Sequence, residues 1–205
     1  MMKKTTDWNQ RYANSNHLFG TEINQFMLSQ TQHLQPGMNA LSIADGEAFN
    51  SIWLAQRGLN VTSIDISYKA SEKARQNIEA ANVNVRLICN DILSVDLSDN
   101  GYDVITVFFL HIPHRQRQQL HKIILRHLNP DGILLYECFH KSQSVQKWGP
   151  DNEDLLIDEK TIAEDCSQLT SLFIDKNKSI AYEEKLGEKT VVTLQYAGLN
   201  KIENG

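Results

Sequence analysis

Three short stretches place small residues and carboxylates where they could hold a nucleotide-like ligand. Ala44-Asp45-Gly46-Glu47-Ala48 follows a short apolar run and leads straight into a helical pattern. Ala44, Gly46 and Ala48 are small enough to let a ligand approach the backbone, and free N–H groups at a helix start favour a carboxylate or phosphate. Asp65 follows Gly46 by about 20 residues and ends a second apolar run, where a carboxylate can accept hydrogen bonds from ribose hydroxyls. Asn90 and Asp91 end a third run, and a carboxylate there can accept from an exocyclic amine such as that of adenine. Ile66 and Ile92 stand beside them and could sandwich the base. These residues describe an adenosine site. They do not choose between a dinucleotide and S-adenosylmethionine.

The elements that must position them alternate regularly. Strands are expected at Ala40–Ala44, Val61–Ile66, Val85–Cys89, Tyr102–Phe108 and Ile133–Cys138. Helices are expected at Asn50–Arg57, at Tyr68–Ala81 with Ser67 as its cap, and at Arg115–Leu128. Alternation of this kind implies βαβ units, and right-handed crossovers then give a doubly wound, Rossmann-like α/β fold, mostly parallel, with helices on both faces. The end differs: Ser179–Leu186 and Thr190–Ala197 read as a C-terminal antiparallel hairpin turning near Gly187. One domain over residues 1–205 is expected, with 1–37 as an N-terminal lid segment over the sheet and 38–205 as the α/β core.

Composition narrows the class. Of the 205 residues, 41% are hydrophobic and 22% charged, an ordinary globular balance. The net charge of -5 argues against nucleic acid as a partner. Cys89, Cys138 and Cys166 form no CxxC pair, so neither a disulfide framework nor structural zinc is indicated, and a reducing, cytoplasmic location is expected. The stretch from Met1 to Gln10 is polar, and the longest apolar run, Val104–Leu110, is strand-sized, so no membrane association is expected.

Asp45-Gly-Glu-Ala-Phe-Asn-Ser-Ile-Trp-Leu-Ala-Gln-Arg-Gly58 followed by Val61-Thr-Ser-Ile-Asp-Ile-Ser67 resembles the class I S-adenosylmethionine-dependent methyltransferases, within them the tellurite-resistance/thiopurine-type branch. Trp8-Asn-Gln-Arg-Tyr12, Phe19–Phe26, Asn129–Leu135 and Gly149-Pro150 with Asp154-Leu-Leu156 extend the resemblance along nearly the whole chain. It implies S-adenosylmethionine as cofactor and a small-molecule methyl acceptor such as a thiol or chalcogen oxyanion. Ala44, Asp45, Gly46 and Glu47 would approach the methionine end, Asp65 the ribose, and Asn90, Asp91 and Ile92 the adenine. Phe109 and His111 would face the sulfonium and the acceptor. Trp8, Arg11, Tyr12 and Phe19 would close the lid, Arg11 serving as a carboxylate partner. Two departures stand out. Alanine occupies positions 44 and 48, where the family usually has glycine, and the His/Gly pattern that links the family's last two strands is missing around Gly187.

For an oxygen or nitrogen acceptor a general base helps, and His111 and His140 stand at strand ends; His111 is the candidate, while His140 reads as a surface residue. His111, His114 and His121 lack a carboxylate or cysteine to complete a ligand set, so no metal is expected. Trp53 reads as core, and Arg115, Arg117, Lys122 and Arg126 as a solvated helix face. Two other functions fit less well: a non-catalytic S-adenosylmethionine or S-adenosylhomocysteine binder with an altered glycine loop, and a nicotinamide oxidoreductase, for which a single glycine in the loop is too few.

Overall fold

The computed structural model of the chain describes residues 7–97, 101–145, 149–150 and 152–201. The first six residues of the polar N-terminal stretch lie outside them. Seven strands form one sheet: β1 (Asn39–Ile43), β2 (Asn60–Asp65), β3 (Val85–Cys89), β4 (Tyr102–Phe108), β5 (Leu128–Phe139), β6 (Thr170–Glu183) and β7 (Gly187–Leu199). Their order is β3-β2-β1-β4-β5-β7-β6. The first five strands run parallel, and β7 and β6 close the sheet as an antiparallel hairpin, β7 pairing with β5. The helices are α1 (Trp8–Ala13), α2 (Gln25–Ser29), α3 (Phe49–Gln56), α4 (Tyr68–Ala80), α5 (His114–His127) and α6 (Glu159–Asp165).

The alternation of side chains along each strand assigns the two faces. Leu41, Ile43, Ile105, Val107, Leu134 and Tyr136 point into one apolar cluster with Leu120 and Ile124 of α5 and Ile162 of α6. Ala40, Val61, Val104 and Leu135 point into the other, with Ile52 and Leu54 of α3, Ala74 and Ile78 of α4, and Phe26 and Met27 of α2. Burying both faces explains why β1 and β4 are almost continuously apolar. The polar exceptions pair with each other: Thr106 Oγ1 donates to Ser42 Oγ at 3.0 Å across β4 and β1. No helix among the described residues is long and apolar enough to cross a membrane.

Cap chemistry sets the helix starts. Ser67 accepts from Ala70 N–H at the head of α4, and Asp158 accepts from Thr161 N–H at the head of α6. The hairpin is longer than its apolar pattern suggested, because β6 is an edge strand whose residues are mostly exposed and carry little alternation. Strand β5 likewise begins five residues before Ile133, since Leu128 already pairs with Tyr102 ahead of a register shift.

One buried polar cluster lies between α5 and α6. Arg117 is not on a solvated face: it is buried, with Nε 2.7 Å from Asp165 Oδ2 and Nη2 2.7 Å from His114 Nδ1. His121 is buried beside them, its ring set edge-on to Tyr136. Burial holds His121 below the usual histidine range, against the opposing pull of Asp165. Removing the carboxylate strands a buried guanidinium. Asp165→Ala should therefore cost about 3–5 kcal/mol in urea unfolding. In the wild type, the unfolded chain takes up a proton at His121 before the folded chain does, so stability should fall as pH drops below about 6.5. A urea midpoint that rises on acidification from pH 7 to 5 would contradict this.

Candidate functional site

The strand order reverses beside β1, whose neighbours are β2 and β4. The carboxyl ends of β1 to β4 therefore open into one crevice, and the loops leaving them carry the residues singled out above. Asp65 ends β2 with both oxygens engaged. Oδ2 accepts from Gly46 N–H at 2.9 Å and Oδ1 from Ser67 N–H at 2.8 Å. Each oxygen keeps a lone pair for a further donor. Desolvation raises the Asp65 pKa, and these two backbone bonds oppose the rise. The main-chain oxygen of Asp65 also accepts from Asn90 N–H, which ties the exits of β2 and β3 together. Asn90 is exposed, and Asp91 folds its carboxylate back onto Leu93 N–H at 2.9 Å. Ile66 is 57% exposed at the rim, whereas Ile92 is 8% exposed and packs into the core.

The turn after β1 is left-handed at three alternate positions: φ is +57° at Ala44, +58° at Gly46 and +67° at Ala48. Asp45 holds this turn to α3, accepting from Ser51 N–H and Asn50 Nδ2 at 3.2 Å each. Burial raises its pKa and these bonds lower it. Glu47 is directed elsewhere: its carboxylate sits 3.1 Å from both Lys73 Nζ and His17 Nδ1, between α4 and the N-terminal segment. The backbone at Gly46, rather than the acidic side chains on either side of it, is thus the part of the turn that is closely approached: Tyr12 Oη lies where a Cβ would stand.

Tyr12 belongs to α1, which packs on α4 and is fastened by Asn9 Oδ1, the acceptor for Ser67 Oγ and Lys69 N–H. Burial, with Asp65, Glu47 and Asp45 nearby, keeps the Tyr12 hydroxyl protonated, so it faces the crevice as a donor. Trp8, Tyr12 and Phe19 form a ring cluster with the Arg11 guanidinium over Trp8 and Phe19. Arg11 Nη2 is paired with Glu183 of the hairpin at 2.7 Å.

On the other side of the crevice, Phe109 leaves β4 at φ +55°, its N–H donating to Glu137 O at 2.7 Å. Phe109 and His111 both pack on Phe139, at 5.2 and 5.3 Å between ring centroids. Burial, and then the Arg11 charge, push the His111 pKa down to about 4. Its Nδ1 is buried with no hydrogen-bond partner. His140 is neither on the surface nor available as a base. It is buried, and its Nδ1 accepts from Ser142 N–H, which leaves the proton on Nε2 facing Glu159 at 3.0 Å. A wide groove at the opposite end of the sheet is lined by Arg86 as its one charged residue and by none of the site residues. Glu137 was not foreseen; its signal is a charge inside the apolar run Ile133–Cys138.

Residues 40–132 match the family profile described as methyltransferase domain. The match covers less than half of the chain and likens this stretch to a methyltransferase domain. A carboxy-S-adenosyl-L-methionine synthase from Histophilus somni is 24% identical over 157 residues, 73% of this chain and 62% of that protein. A ubiquinone biosynthesis O-methyltransferase from Coxiella burnetii is 27% identical over 108 residues, 52% of this chain and 45% of that one. The chain thus spans less than two thirds of either relative. The crystal structure of TehB from Haemophilus influenzae superposes with a TM-score of 0.73 at 18% identity, covering 89% of this chain and 64% of that one, and shows the shared fold.

The alanines at 44 and 48 adopt the backbone that glycine would take, at a cost of about 1–2 kcal/mol each. Replacement by glycine recovers that strain but returns about 0.4–1 kcal/mol through unfolded-state entropy. Ala48 is fully buried in an apolar cluster and so loses the larger methyl contact, about 0.8 kcal/mol, whereas Ala44 is only partly buried. Ala44→Gly should therefore stabilise by about 0.5–1 kcal/mol while Ala48→Gly stays near neutral. Chemical denaturation of the two variants checks the difference, and equal effects would refute it.

Proposed function

We propose that this chain transfers the methyl group of S-adenosylmethionine to a small-molecule acceptor. The observation that carries the proposal is Asp65 at the end of β2, bonded to Gly46 N–H at 2.9 Å across the switch point of the sheet. In this reading Asp65 serves the ribose and the small-residue turn beside it serves the methionine end. One further feature supports the reading: a buried, unpartnered His111 Nδ1 across the crevice.

When bound, S-adenosylmethionine supplies a methyl group already activated on a sulfonium. Asp65 and the Gly46 turn orient it, Asn90, Asp91 and Ile66 flank the base, and α1 with Tyr12 excludes water. Phe109 and Phe139 wall the acceptor side. His111 is neutral at physiological pH, and its Nδ1 would take the proton that the acceptor loses. Arg11, at the lid, exchanges Glu183 for a ligand carboxylate. Assignment to the tellurite-resistance/thiopurine-type branch rests on the motifs quoted above, supported by the likeness to TehB. The proposal also treats the chain as one domain with residues 1–37 as its lid, and places it in the cytoplasm, in keeping with three free cysteines. A non-catalytic binder is the competing reading, and turnover separates the two.

Calorimetric titration with S-adenosylmethionine and S-adenosylhomocysteine should show micromolar binding by the wild type, lost in Asp65→Ala. Binding unchanged in that variant would refute the site. In an acceptor screen beginning with thiols and chalcogen oxyanions, His111→Gln should lower kcat by about 100-fold for any acceptor that must lose a proton. A base acts only when unprotonated, so its lowered pKa keeps it active on acidification: the rate should hold from pH 8 to 5 and fall through about 4. A fall centred at about 6.5 would show that His111 is not the base.

A further inference from the structure

Glu137 is a carboxylate in the apolar body of β5, 2% exposed and held by neutral donors. Its Oε2 accepts from Asn24 Nδ2 at 2.6 Å, and its Oε1 from Ser179 Oγ at 2.8 Å and Gln195 Nε2 at 2.9 Å. Its main-chain oxygen receives Phe109 N–H. Asn24 leads onward: its Oδ1 caps α2 through Met27 N–H, and its own N–H donates to Asn50 Oδ1 at 3.0 Å. Asn50 Nδ2 in turn donates to Asp45, the residue that holds the turn after β1. One unbroken path of hydrogen bonds thus runs from the hairpin through β5 and the N-terminal segment to the cofactor-side turn.

We propose that Glu137 is a positioning residue that couples the N-terminal segment to the cofactor turn, so that filling the cofactor site orders the segment that covers it. This rests on the cofactor reading above. A buried carboxylate is a costly way to fasten three neutral donors if stability alone is at issue, because an apolar side chain of the same volume needs no compensation. What the carboxylate adds is acceptor capacity on two oxygens at once, which lets it join the hairpin on one and Asn24 on the other. A further contact braces the same segment against β6: Phe26 stacked on Phe173 at 5.7 Å between centroids.

The test is amide exchange of residues 8–29 with and without S-adenosylhomocysteine. Glu137→Gln keeps the shape but sets an amide against the Asn24 amide. Asn24→Asp sets carboxylate against carboxylate. In both, the slowing of exchange on adding S-adenosylhomocysteine should shrink about tenfold, the worth of one buried hydrogen bond, while the affinity falls by no more than that factor. In the double variant, Glu137→Gln with Asn24→Asp, the new amide on β5 can donate to the new carboxylate, which still caps α2, and the slowing should return. A purely structural role predicts lower stability with ligand-induced slowing intact. Wild-type slowing in Glu137→Gln, or no recovery in the double variant, overturns the coupling alone. Failure of the wild type to bind S-adenosylhomocysteine overturns the cofactor reading and this proposal with it. Should Glu137→Gln not fold, Asn24→Ala at a half-buried position gives the same readout.

Discussion

The sheet is covered on both faces, and this leaves its strand ends as the place where polar chemistry can stand. Ile43 and Ile64 lie side by side in register, so β2 runs one residue past the end of β1. Asp65 is then the next residue on β2, beyond the last paired position of β1, with its carboxylate over the turn that β1 has just begun. A shift of one residue would turn Asp65 towards the opposite face and would bury Ala44 in the strand. The Asp65–Gly46 contact is thus a consequence of the register, and the register follows from apolar side chains that must face inward on both strands.

Within that frame three of the buried ionisable sets show different means of stabilisation. Asp45 is satisfied by the start of α3 and by Ser63, at the turn and the strand beside it. Arg117 and Asp165 neutralise each other between α5 and α6, on the face away from the N-terminal segment. Glu137 relies on neutral donors drawn from segments 42 to 113 residues away in the chain. A local cap can be replaced at little cost to the rest of the fold. A group whose donors come from the N-terminal segment, β6 and β7 reports on whether all three are in place.

Much of this was legible in the chain itself. The parallel strands, α4 with its Ser67 cap, and the hairpin follow from apolar period and cap chemistry, which act over a few residues. Asp65 and Gly46 were singled out from their places at the ends of apolar runs, and the structure brings them within 2.9 Å of each other. The rest depends on distant partners. Glu47 reads as a ligand-facing acid until Lys73 and His17 are seen to take its carboxylate. Arg117 reads as solvated because its helix is rich in charge, and only the arrival of α6 brings Asp165 to it. His140 and Glu137 are the same case: a polar residue at or within a buried strand has a partner, but its position along the strand does not say which.

Arg11 shows how such partners bear on chemistry. Its ion pair with Glu183 is part-exposed, at 32% and 19%, so it contributes at most about 1 kcal/mol. Exchanging that carboxylate for a ligand's would therefore cost little. The guanidinium also acts at a distance, since its charge adds to burial in holding His111 neutral. A ligand carboxylate would add a negative charge while Glu183 stays on β6, yet burial, the larger cause, would still hold His111 unprotonated near neutral pH. The lid's cation and the proposed base are compatible for that reason: the histidine's neutrality rests on its surroundings first, which leaves the Arg11 charge free to hold the ligand beside it.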